Sequence, residues 1–154
     1  MNYTTLVKPY RKELLTMFDN EIISGSLEAA ILQNAPNFTV SETAPNTFKD
    51  LKACGLTNLV VYSGNCEDTI YSSPEVNHSF RAWHDKLHLI HNLNFSREHE
   101  LQVAAHHVEA LDNPLDKALI WSDVAGQVEF YFKHKKFVEN QRNFLKTFIE
   151  TGAV

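Results

Sequence analysis

The chain has 154 residues, 44% of them apolar and 21% charged, the proportions of one globular domain over 1–154 with a single core. Its formal charge of −5 excludes the broad basic surface of a general nucleic-acid binder, since "KHKK" at 133–136 is a short run. No apolar stretch nears the roughly 20 residues that span a bilayer, so no membrane partner is expected.

The first segment, "MNYTTLVKPYRKELL", lacks the apolar centre of a signal peptide. A helix is predicted from about Pro9 to Gln33, interrupted near "SGS" at 24–26, where Gly25 weakens it. "NAPNFTVSETAPN" reads as loop, punctuated by Pro36 and Pro45. A short helix over Thr47–Ala53 should stop at Gly55. "LVVY" (59–62) and "TIYS" (69–72) read as strands, and the turn chemistry of "SGNCED" joins them into a hairpin. Cys54 and Cys66 form no CxxC pair, so reduced thiols in a cytoplasm are expected.

After Pro74 the pattern is helical. One helix runs from Pro74 to His91 and breaks at "NLNF". Ser96 caps a second, ending near Leu111. Asn113 and Pro114 open a third, to His134. A fourth spans Val138–Thr151 and stops at Gly152. The predicted fold is mainly α, a helical bundle with a small β-hairpin near residues 59–72.

Seven of the eight histidines lie between 78 and 107. Helical projection sorts them. Phe80, Trp83, Leu87 and Ile90 form the apolar stripe of the first helix of this half. His84, His88 and His91 follow its edge, and Arg81 stands four residues before Asp85, within pairing distance. In the second helix Val103, Ala104, Ala110 and Leu111 face the core, and Glu100 and His107 share that stripe. His99, Gln102, His106 and Glu109 fall on the solvent side, and His78 is also expected in solvent.

The third helix has two apolar faces. Leu119, Ile120, Phe130 and Tyr131 form one; Trp121, Val124, Val128 and Phe132 form the other. Such a helix is central. Asp123, Gln127 and His134 lie on its first face, and a buried carboxylate there requires a cation, a proton or several donors.

His84-Asp85-x-x-His88 has the spacing of the HExxH metalloprotease motif, with the shorter Asp in place of Glu. Two histidines one turn apart reach one metal ion, and Glu100 or His107 completes the set. Zinc suits these donors best, and iron or manganese also fit. Asp85 or Asp123 is the candidate catalytic base for a bound water; Gln127, Tyr131 and Arg81 are the candidate substrate contacts. The expected function is a metal-dependent hydrolase of unspecified small substrate. The competing expectation is a non-enzymatic module in which the polar cluster is structural.

"FRAWHDKLH", then Phe95 and Glu100, then "VAGQVEFYFKH" and "ENQRNF", is similar to small uncharacterised proteins of tailed bacteriophages that carry an AWHDxxH segment. The resemblance covers residues 80–145. It implies a phage protein acting in the cytoplasm of a host cell, with a phosphoester or nucleotide as one substrate class and a host protein as the partner of a binding module. It brings no catalytic assignment, and Glu139-Asn140-Gln141-Arg142 stands where those proteins have an acidic residue directly before Gln-Arg. A second segment resembles the Arg-x4–6-His motif of the helical HEPN ribonucleases, on Arg81 and His88. Ala82 replaces the polar residue usual after that Arg. This resemblance implies RNA cleavage without a metal.

Overall fold

Local signals set each helix of the second half. The structure is a computed structural model that describes residues 1–20 and 23–154. Helix α5 (Pro74–His91) begins where Ser73 accepts a hydrogen bond from the Val76 N–H and Pro74 occupies the first turn. It ends on Asn92 in the left-handed region, φ 51°. Ser96 caps α6 (Arg97–Glu109) through the His99 N–H. Asn113 caps α7 (Pro114–His134), again with Pro in the first turn. α8 (Gln141–Thr151) starts three residues later than the sequence suggests, because the cap is Asn140, and stops on Gly152 at φ 71°.

The first half is more broken than predicted. A short α1 (Tyr3–Leu6) precedes the expected helix 9–33, which itself resolves into a 3-10 turn (Lys8–Tyr10), α2 (Arg11–Phe18) and α3 (Gly25–Asn34). Ser24 supplies the break near 24–26 by capping α3 through the Leu27 N–H. Glu21 and Ile22, inside the predicted helix, lie outside the described residues. α4 (Phe48–Cys54) is capped by Thr47 and ends at Gly55, φ 67°.

The mainly α class with a small sheet is as expected, but the sheet is not a hairpin. β2 (Val60–Tyr62) pairs in parallel with β1 (Thr39–Ser41), in the register Thr39–Val60, Val40–Val61, Ser41–Tyr62. α4 is the crossover between them. Residues 69–72 form bends, not a strand. The physical reason lies in the turn. Asn65 and Asp68 adopt positive φ. The carbonyls of Tyr62, Gly64 and Asn65 are taken by the Arg81 guanidinium at 2.6, 2.5 and 2.8 Å, so they are not free for a ladder to 69–72.

The core is built around α7, buried from Asp116 to Val128 on successive turns. Trp83 of α5, Leu14 of α2, Leu27 and Ile31 of α3, and Leu145 and Ile149 of α8 are fully enclosed around it. A smaller cluster of Leu51, Leu59, Val61 and Ala82 lies under the sheet and α4, with Phe48 and Phe95 against it. The apolar stripe of α5 ends a turn early: Ile90 is 52% exposed, while Leu87 and Leu93 are buried. Ala110 is exposed at the end of α6, and Tyr131 lies on the exposed last turns of α7. Among the described residues no helix is long and apolar enough to cross a membrane.

Asp116 ties the start of α7 to the start of α3. It is buried and accepts from Ser24 Oγ at 2.6 Å and Ser26 Oγ at 2.5 Å. Asp116→Ala leaves both hydroxyls without their acceptor and should cost about 2–3 kcal/mol of unfolding free energy in a urea titration. A loss below about 0.5 kcal/mol would mean that this tie carries no stability.

Candidate metal centre

His84 and His88 stand one turn apart on α5, so their rings leave the same side of the helix. The break at 92–96 turns the chain back, and Glu100, in the first turn of α6, faces both rings. His84 Nε2 lies 3.2 Å from His88 Nε2 and 3.6 Å from Glu100 Oε2, and His88 Nε2 contacts Glu100 Oε1. The ligand atoms of the three residues all fall within 4.8 Å of one another. Tetrahedral bonds of about 2.0–2.1 Å separate neighbouring donors by about 3.3 Å, so the cluster can hold a metal ion.

The hydrogen bonds behind the rings decide which nitrogens face the cluster. His88 Nδ1 is 2.7 Å from the Leu93 carbonyl. A carbonyl only accepts, so Nδ1 carries the proton and Nε2 of the neutral ring presents a lone pair. His84 Nδ1 is 2.9 Å from His107 Nε2. With the proton of that contact on His84 Nδ1, its Nε2 presents a second lone pair. Two lone pairs 3.2 Å apart repel unless a proton or a cation lies between them.

Electrostatics agree with a site built for positive charge. Burial works against the Glu100 carboxylate, but the two imidazoles outweigh it and hold its pKa down at about 2. Burial also disfavours the His84 imidazolium, yet the Glu100 charge beside it leaves the pKa raised.

His107, a candidate ligand by sequence, stands behind His84 rather than in the cluster. It is fully buried, its ring lies 5.0 Å from Phe80 and 4.3 Å from Trp83, and its Nδ1 has no hydrogen-bond partner among the described residues. Burial pushes its pKa well below the ordinary value, so it is neutral. His106, one step round α6, is partly exposed beside Glu109 and stacks on His91 at 3.6 Å. The step of about 100° therefore separates the two as the projection requires. His99 accepts from the Asn94 N–H, and His78 contacts the Ser63 carbonyl, so neither is merely solvated.

A cavity of about 790 Å³ opens beside the cluster and is lined by His84, His88 and Glu100 together with Asp85, Asp123 and Gln127. Tyr131 and Arg81 line it as well. Arg81 does not pair with Asp85: its donors go to the three loop carbonyls. Asp85 is part-buried and makes no hydrogen bond or ion pair among the described residues, and burial raises its pKa to about 6 against the pull of His84 and His88. Asp123 is held by donors, as its burial demands. Tyr71 Oη donates to Oδ2 at 2.8 Å and Gln127 Nε2 to Oδ1 at 2.8 Å. Burial still raises its pKa to about 6, and burial together with the Asp123 charge keeps the Tyr71 hydroxyl protonated.

Sequence reasoning missed Tyr71, which the strand prediction hid. The usable signal was the demand of Asp123 for donors. It also missed the aromatic setting of the rings: Phe80 lies 6.0 Å from His84, and Phe95 lies 4.9 Å from His88. Comparison with family models, curated proteins and solved structures finds no match.

Two outcomes test this geometry. In chelated protein the folded state keeps the Asp123 proton between about pH 4 and 6, where the unfolded chain has released it. Stability therefore falls as pH rises through that window, by up to about 3 kcal/mol. Asp123→Asn should remove this fall, read as the difference between variant and wild-type unfolding curves; parallel curves would rule out a raised carboxyl. His107→Phe should weaken metal binding about 10–100-fold by removing the acceptor behind His84, with His107→Gln closer to wild type. His106→Ala should change stability by no more than about 0.5 kcal/mol. Metal titration and urea unfolding of the three variants measure this, and equal metal affinities would show that His107 plays no part.

Proposed function

We propose that the protein is a metal-dependent hydrolase in which His84, His88 and Glu100 hold a divalent transition metal at the edge of the cavity. One observation carries this reading: two imidazole nitrogens and a carboxylate converge on one point, and all three line an open space. Two histidines and a glutamate, with a further position left for water, is a donor set of catalytic zinc sites. Zinc is the metal we assign; iron and manganese suit the same donors. A bound zinc ion supplies Lewis-acid polarisation and a water acidic enough to act as nucleophile near neutral pH.

The roles of the remaining groups follow from their partners. Asp85 follows His84 directly, lines the cavity and is uncommitted, which suits it to take a proton from a water in the cavity. Asp123 has each oxygen tied to one donor, which suits it to fix a substrate rather than to shuttle protons. Gln127 is oriented by the same contact, and Tyr131 stands at the exposed side of the cavity. His107 holds the His84 ring in the tautomer that turns a lone pair to the metal. With the resemblance to tailed-phage proteins, we place this chemistry in the cytoplasm of an infected cell.

Elemental analysis of protein purified without a metal-affinity tag should find about one transition-metal ion per chain. His84→Ala and His88→Ala should each lose most of it, and hydrolysis of p-nitrophenyl acetate should fall with the metal content. Substoichiometric metal that persists in the double variant would sink the proposal.

A further inference from the structure

We infer that the cavity receives a small organic cation, an amine on an apolar body, with Asp123 as the group that meets the ammonium. As a statement about the substrate it rests on the hydrolase reading; as a statement about binding it stands on the cavity alone.

The charge of the walls comes first. Glu42, Asp85, Glu100 and Asp123 line the space, and Arg81 is the one Lys or Arg of the lining among the described residues. Three of the five guanidinium N–H donors are already committed to the carbonyls of Tyr62, Gly64 and Asn65. A phosphate entering the cavity meets carboxylates and a guanidinium largely in use. A divalent ion at the histidine cluster still leaves the lining with a negative excess. This separates the cavity from the phosphoester expectation that the phage resemblance brings.

The apolar part of the lining fits the same ligand. Phe80, Phe95, Phe132, Tyr131 and Phe137 all contribute to it. Tyr131 and Phe137 stack at 4.8 Å on the exposed side, where Phe137 is 77% exposed. Aromatic faces attract cations and exclude anions, through the negative face of the ring quadrupole. Asp123 supplies the fixed countercharge. It is almost fully buried, lines the cavity, and accepts one hydrogen bond on each oxygen from Tyr71 and Gln127. A carboxylate has about four acceptor sites, so it retains capacity for an ammonium.

Isothermal titration at pH 7.5 with 2-phenylethylamine, 2-phenylethanol and phenyl phosphate tests this, on chelated and on zinc-loaded protein. The amine should bind about tenfold or more tighter than the isosteric alcohol, as a charge-assisted hydrogen bond requires. Phenyl phosphate should not bind detectably. Asp123→Asn should erase the amine's advantage over the alcohol. If that variant does not fold, the ranking of the three probes on wild type decides alone. Amine and alcohol of equal affinity, phosphate tighter than amine, or no binding of any probe overturns the inference. Amine binding to chelated protein that takes up no zinc at His84 and His88 removes the hydrolase reading and leaves this one standing.

Discussion

The contact of the Glu100 carboxylate with the His84 and His88 imidazoles is the constraint around which the second half of the chain is arranged. A carboxylate placed in the seam between two helices is costly unless its charge is met there. Both imidazoles come from α5, so α6 must reverse direction within the five residues 92–96 to bring Glu100 back in its own first turn. The left-handed Asn92, the Ser96 cap and the Leu93 carbonyl that fixes His88 all lie in that reversal. The same short connection thus makes the turn, starts the helix and sets the tautomer of a site residue.

Behind this contact is a second layer of polar groups that is satisfied only in part. His84 leans on His107, whose outer nitrogen has no partner among the described residues, and Asp123 is balanced by Tyr71 and Gln127. An apolar interior would be simpler and no less stable, because a buried polar network gains little net free energy and its unmet members cost. Of the buried titratable groups, His88 and Asp123 line the cavity and His107 stands behind His84, while Asp116 is taken up in the tie between α3 and α7. Concentrated departures of this kind are where function is expected.

The helical half was legible because its signals are local. Ser73–Pro74, Ser96 and Asn113–Pro114 mark starts within one turn, and Asn92 and Gly152 mark stops. The 3.6-residue period then placed His107 and Asp123 inward and His106 outward, while His88, set at the edge of its stripe by the same count, is buried. Strand β2 was legible in "LVVY", but its pairing was not, since β1 is three residues long and meets β2 across a crossover that no short-range pattern records. Arg81 shows the limit most clearly. Its helical neighbour Asp85 is the partner that spacing suggests, but three carbonyls of a distant loop compete for its donors, and a guanidinium matched to several fixed acceptors gains more than a single ion pair. Tyr71 was hidden for the same reason: its partner is 52 residues away in sequence.

The cavity lies between two hydrophobic clusters of unequal size. Its metal-cluster wall belongs to α5, α6 and α7, whose side chains are rooted in the main core. Its other wall, residues 42–46 and 60–62, rests on the small separate cluster under α4. The two are joined, because Ala82 of α5 belongs to the smaller cluster and Phe95, packed against it, lies 4.9 Å from the His88 ring. In evolutionary terms the histidine cluster and the shape of the space beside it are therefore coupled through His88. A substitution at Leu51, Leu59 or Val61 that reshapes the entrance also shifts the aromatic packing beside His88, so a lineage that alters one must accommodate the other.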